Sequence, residues 1–215
     1  MTSSSKTLYD KDECPFCWKV RIALAIKDIS VRHITIDTDN KPAEFLALSA
    51  TGKVPLFDTG SQLITESTAI CAALEADFPS PILMGSNAAE RAFIAELNHY
   101  SDSVIGPAIR NAIFTQRGRP EADWDVAVIE QCQQQWRECL SWLNTTYLEQ
   151  GSDHHTFASQ LSLAECALLP RFALASAYGL DQASEFAALH RWYQHHRRQP
   201  YFTATAPQLV SGGQP

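Results

Sequence analysis

Two cysteines in Glu13-Cys14-Pro15-Phe16-Cys17 are the residues of this chain best placed to do chemistry. They stand where a short strand-like stretch ends and an apolar, helix-patterned segment begins. The leading residues Met1 to Lys6 are polar and show no secretory pattern, so C-x-x-C reads as a redox motif before it reads as a structural disulfide. A thiol at the start of a helix faces unsatisfied backbone N–H groups and the positive end of the helix dipole. Such placement brings a cysteine pKa to roughly 3.5–7.5. Pro15 suits the first helical turn, where its missing N–H is no loss. Cys14 is the expected nucleophile. Cys17, one turn further in and more shielded, is the expected resolving thiol.

Other constellations are less pointed. Pro55 in Lys53-Val54-Pro55 directly precedes a strand, and a proline there cannot donate to a ladder. It is either an edge-strand proline or a cis bond that turns the Val54 backbone toward a ligand. Thr65-Glu66-Ser67 opens a helix whose N–H groups make an anion site, and Glu66 adds a carboxylate that can pair with an ammonium. That pairing suits an α-amino acid group; a plain helix cap explains the same residues. Ser162-Leu163-Ala164-Glu165 is a capping box, a structural feature. The adjacent pairs His154-His155 and His195-His196 point apart on a helix and lack ligand-spaced partners, so no metal is expected. His195 to Arg198 reads as a solvated helix end, and Arg117 and Arg119 as surface residues.

Composition limits the function classes. The 215 residues carry a net charge of -7, which argues against nucleic acid or an anionic membrane as partner. With 45% hydrophobic residues, a folded core is expected. No apolar run is long enough to span a membrane. Of six cysteines, Cys71, Cys132, Cys139 and Cys166 read as small buried hydrophobes, and a cytoplasmic setting would keep all six reduced.

The elements that must position Cys14 follow from periodicity. Thr7 to Tyr9 is a strand, Pro15 to Lys27 an all-round apolar helix, and Val31 to Ile36 an alternating strand. Lys41-Pro42 opens a short helix. Val54 to Phe57 and Gln62 to Ile64 form a hairpin, and Glu66 to Phe78 a third helix. The order βαβαββα gives an α/β, thioredoxin-like first domain over 1–80. Prolines and a glycine mark a linker over 81–87. Residues 88–202 show only helix patterns, with Pro107 expected to interrupt one of them, and 203–215 reads as a frayed tail. Tyr100 and Phe114 are either core or lining of the cleft between the domains.

These elements together resemble the glutathione transferase superfamily over roughly residues 5 to 202. Val54-Pro55 resembles its cis-proline loop, Glu66-Ser67 its γ-glutamyl-binding pair, and Ser162 to Glu165 its helical capping box, with Glu165 where most members have Asp. Cys14-Pro15-Phe16-Cys17 is similar to the cysteine branch: Omega-class transferases, dehydroascorbate reductases, chloride intracellular channel proteins and glutaredoxin-like members. The resemblance implies glutathione as cosubstrate and Cys14 as the thiol facing its sulfur. It places the Val54 backbone on the cysteinyl unit, Glu66 and Ser67 on the γ-glutamyl group, and Lys41 or Lys53 near the glycine carboxylate. It implies a thiol transferase or reductase acting on a disulfide or small electrophile, and a homodimer. Two alternatives remain. One is ordinary conjugation of glutathione, with Tyr9 the nearby hydroxyl. The other is a non-catalytic binding protein, since Val20 to Lys27 and Phe78 to Met84 also resemble the stringent starvation protein A family.

Overall fold

The computed structural model describes residues 6–149, 155–180 and 183–209. The sheet half begins with β1 (Thr7–Asp10), crosses through helix α1 (Pro15–Ile26) to β2 (Arg32–Thr35), and continues through α2 (Ala43–Leu48) to β3 (Leu56–Asp58) and β4 (Leu63–Thr65). The strand order is β2-β1-β3-β4, with β1 parallel to β2 and both other pairs antiparallel. The parallel pair needs a crossover, which α1 supplies, and the antiparallel pair β3–β4 closes through a short turn. Helix α3 (Ser67–Asp77) ends this half.

The helical half contains α4 (Ala88–Tyr100), α5 (Gly106–Gln116), α6 (Val126–Glu149), α7 (Leu163–Ala177), α8 (Ala187–His196) and the short α9 (Pro200–Thr203). Pro107 does not interrupt the chain as expected. Ser101–Ile105 forms a π-helical stretch that joins α4 to α5, and Pro107 falls in the first turn of α5, where its missing N–H is harmless. The long helix α6 begins at Val126, after a 3₁₀ turn at Glu121–Asp123.

Helix α1 lies between α3 and α7 and has almost no solvent face. Its apolar Trp18, Val20, Ile22 and Ala23 are fully buried, and Lys19, Arg21 and the C-cap residue Lys27 are buried too. Each buried cation reaches partners. Lys27 Nζ donates to the carbonyls of Phe78 and Pro81 at 2.7 Å and pairs with Glu75. The Glu75 carboxylate in turn accepts from the Leu83 N–H, so the connection after α3 is anchored to both helices. The Leu163 N–H donates to the Leu83 carbonyl at 2.8 Å, tying that connection to the start of α7.

The capping box forms as read. Ser162 Oγ accepts from the Ala164 N–H, and the Glu165 carboxylate accepts from the N–H groups of Ser162 and Phe157 at 2.9 and 2.8 Å. Burial pushes the Glu165 carboxyl above its ordinary range, against these bonds.

Two expectations at the C-terminal end are corrected. His196 is not solvated: it is buried against Trp192 and Tyr201, and burial draws its imidazole down to about 4. The segment from Thr203 does not simply fray, because Trp18 Nε1 donates to Thr205 Oγ1 at 3.1 Å. His154 and residues 210–215 lie outside the described residues. Among those described, no helix is long and apolar enough to cross a membrane, and no three His, Cys, Asp or Glu side chains gather as a metal site.

Ser162→Ala should cost about 1 kcal/mol of stability, the usual worth of a lost N-cap. Glu165→Ala should cost about 3 kcal/mol, because two buried N–H groups lose their acceptor. Urea denaturation midpoints of the two variants, compared at equal slope, check the ranking; a milder effect at Glu165 than at Ser162 would contradict it.

Candidate active site

Cys14 caps α1. Its own N–H donates to the Lys11 carbonyl at 3.1 Å, and its carbonyl accepts from the Trp18 N–H at 2.9 Å. No side chain caps this end, so the first N–H groups of the helix face the thiol. The thiol of Cys14 is drawn down to about 6, chiefly by a hydrogen bond from the Cys17 S–H. The backbone N–H groups of Cys17 and Phe16 and the charge of Arg171 add to this, while burial opposes it. Cys17 is fully buried, and burial raises its thiol well above the ordinary range. Both are free thiols. One residue is thus set up as a thiolate and its neighbour as a proton-bearing donor, three positions apart.

Two hollows meet at this point. The larger, about 740 Å³, lies between the halves and is lined by Cys14, Phe16, Asp102, Phe114, Arg117 and Arg171 among others. The smaller, about 400 Å³, is lined by Lys41, Lys53, Val54, Pro55, Glu66 and Ser67. Phe16 and Thr38 border both. The six residues of the expected glutathione site therefore fall on one hollow, next to the one that holds Cys14.

The local backbone explains this convergence. The Val54–Pro55 bond is cis. Glu66 sits just before α3 with φ 66° and ψ 121°, and its side chain makes no capping bond. The carboxylate is exposed and the α3 N-terminus receives no cap from it, while Ser67 is buried at the first helical position. A ligand bearing both an ammonium and a carboxylate matches that pair of features. Lys41 and Lys53 are exposed and line the same hollow.

The far wall of the larger hollow comes from residues that sequence reasoning missed. Arg171, on α7, is buried and lies 4.8 Å from the Phe16 ring centroid. It pairs with Asp102 at 3.4 Å, and Asp102 also binds Lys19 Nζ at 2.6 Å. Gly106 admits the guanidinium, since a Cβ there would stand 3.1 Å from it. The detectable signal was a single cation in the apolar run Leu163–Ala177. Arg117 is not a surface residue as expected: it is half-buried and pairs with Glu13 at 2.7 Å. Phe114 does line the hollow, whereas Tyr100 stacks on Trp142 at 4.0 Å, away from it. Tyr9 packs on Phe45 and borders neither hollow.

Comparison with known proteins bears on the fold. Residues 8–82 match the family model described as the N-terminal domain of glutathione S-transferase. Over 209 residues, 96% of this chain and 95% of the relative, the chain is 25% identical to a probable maleylacetoacetate isomerase of Caenorhabditis elegans. It is 37% identical to the chloroplastic glutathione S-transferase DHAR3 of Arabidopsis thaliana, but over 71 residues only, 33% of this chain and 28% of that one. A crystal structure of a glutathione S-transferase from Rhodospirillum rubrum superposes with a TM-score of 0.86 at 23% identity, covering 98% of this chain and 96% of that one. The fold is the glutathione transferase fold: a four-stranded thioredoxin-like sheet half followed by a helical half.

Alkylation of Cys14 by iodoacetamide should reach half its limiting rate near pH 6. Cys17→Ala removes the main stabilising donor and should move that midpoint up by about one unit or more. The rate is read as a function of pH on the Cys14 peptide by mass spectrometry; an unmoved midpoint would contradict the role of the Cys17 thiol.

Proposed function

We propose that this chain is a member of the glutathione S-transferase superfamily and acts as a glutathione-dependent thiol transferase or reductase that works through Cys14. The carrying observation is the position of Cys14: a low-pKa thiol at a bare helix start, between two adjoining hollows. In this reading glutathione occupies the smaller hollow. Glu66 takes its ammonium, the α3 N-terminus and Ser67 take the γ-glutamyl carboxylate, the Val54 backbone takes the cysteinyl unit, and Lys41 or Lys53 meets the glycine carboxylate. The larger hollow receives the second substrate.

The chemistry is thiol–disulfide exchange. The Cys14 thiolate attacks one sulfur of a disulfide, forming a mixed disulfide and expelling the other sulfur as thiolate. Glutathione thiolate then attacks that mixed disulfide and restores Cys14, either directly or through a second glutathione. Cys17 offers an internal alternative, although its buried, high-pKa thiol makes glutathione the faster resolver. The reading includes a cytoplasmic setting, where thiols stay reduced. It also includes a two-fold dimer, as in most of the superfamily.

A second reading has its own support. One of the relatives aligned along nearly the whole chain bears the name of a probable maleylacetoacetate isomerase. There glutathione would add to the substrate and leave again, with Cys14 holding the glutathione sulfur rather than exchanging with it. Isomerisation of maleylacetoacetate at a rate surpassing disulfide reduction would favour this over the transferase reading.

Under the first reading, Cys14→Ala should abolish glutathione-dependent reduction of bis(2-hydroxyethyl) disulfide and leave glutathione binding, measured by calorimetry, within about twofold. Undiminished turnover in the variant would contradict it. Glu66→Ala should weaken glutathione binding by about tenfold or more, the usual worth of a charge-assisted hydrogen bond. Unchanged affinity there would remove Glu66 from the site.

A further inference from the structure

The segment that delivers Cys14 is gripped from two sides. From α1, Arg21 Nη2 donates to the Asp12 carbonyl at 2.6 Å, and Nη1 pairs with Asp10 at 2.9 Å. From the helical half, Arg117 brings Nη2 to 2.7 Å from Glu13 Oε2, and the Tyr178 hydroxyl donates to that same oxygen at 2.9 Å. Arg117 Nε donates to the Tyr178 hydroxyl at 3.1 Å, which closes the triangle. Burial holds the Tyr178 phenol above its ordinary range, so it remains a neutral donor.

Glu13 directly precedes Cys14, and its side chain is only 17% exposed. A carboxylate one residue from a thiolate, and poorly screened by water, opposes its ionisation. Among the described residues, Arg117 is the cation paired with Glu13. The other charged groups bordering the hollow are Lys11, Asp39, Asp102, Arg110, Arg119 and Arg171.

We propose that Arg117 is a positioning residue for Cys14: by neutralising Glu13 it removes the repulsion that would otherwise oppose the thiolate, so the helical half controls the reactivity of a thiol that belongs to the sheet half. This rests on Cys14 as the reactive group. It does not depend on the identity of the second substrate or on turnover.

The test is the pH dependence of Cys14 alkylation by iodoacetamide in the full chain, wild type against Arg117→Gln, Arg117→Lys, Glu13→Gln and the double variant Glu13→Gln/Arg117→Gln. Loss of Arg117 should raise the midpoint by about one pH unit, and Arg117→Lys should restore it. Loss of Glu13 should lower the midpoint, because Arg117 then acts on the thiolate alone. The double variant should return to within about 0.3 of wild type, since both charges are gone. Opposite shifts that cancel are the signature of charge; a structural brace would move both single variants the same way. Same-sign shifts, no shift in either, or a double variant no nearer wild type than its parents would overturn the proposal. Should Arg117→Gln fail to fold by circular dichroism, Glu13→Gln decides alone, and an unchanged or raised midpoint overturns it. Absent disulfide reductase turnover in a wild type whose midpoint still responds in this pattern would count against the proposed function and leave this inference standing.

Discussion

Helix α1 is enclosed by both halves of the molecule, and the rest of the structure depends on that enclosure. An isolated helix of this length is marginal in water, so its stability comes from the faces packed on it. Here those faces belong to α3 on one side and α7 on the other. Burial of Trp18, Val20 and Ile22 supplies the apolar gain. Burial of Lys19, Arg21 and Lys27 would be prohibitive unless each found partners, and each does so in a different region: the π-helical stretch, the end of β1 with the loop that follows it, and α3 with the connection after it. Of these cations, Lys19 is the one that ties α1 to the helical half, through Asn98 and Asp102.

One outcome of that arrangement is where α1 begins. Its N-terminus opens at the seam, so the dipole and free N–H groups act on Cys14 while the helix body shields Cys17. Two chemically identical side chains acquire opposite character from one helical turn of displacement. The wall facing Cys14 is contributed by the helical half through Arg171 and Arg117, each matched to a carboxylate, Asp102 and Glu13. The thiol therefore sits among paired charges from both halves, and its environment exists only when the halves are docked.

Much of this was legible in the sequence because it is local. The βαβαββα order follows from periodicity, the α7 start from a four-residue capping pattern, and the Cys14 environment from its place at a helix start. What escaped was long-range pairing. Nothing local marks Asp102 as the shared partner of Lys19 and Arg171, or Glu13 as the partner of Arg117 across more than a hundred residues. Pro107 was misread as a break because a proline at a helix start and one between helices look alike until the π-helical stretch before it is seen. His196 was misread because its neighbours His195, Arg197 and Arg198 are exposed, and only helix phase separates it from them. The roles assigned to Lys41, Lys53, Val54, Glu66 and Ser67 came from resemblance; the fold gathers those residues on one hollow, and their functions are the reading argued above.

The most direct test of the central claim is to treat reduced protein with a small excess of glutathione disulfide and locate the adduct by peptide mass spectrometry. The account predicts a single glutathione on Cys14, formed fastest above pH 6 and accumulating further when Cys17 is replaced by Ser. An adduct on another cysteine, or no adduct while the protein remains folded, would contradict it.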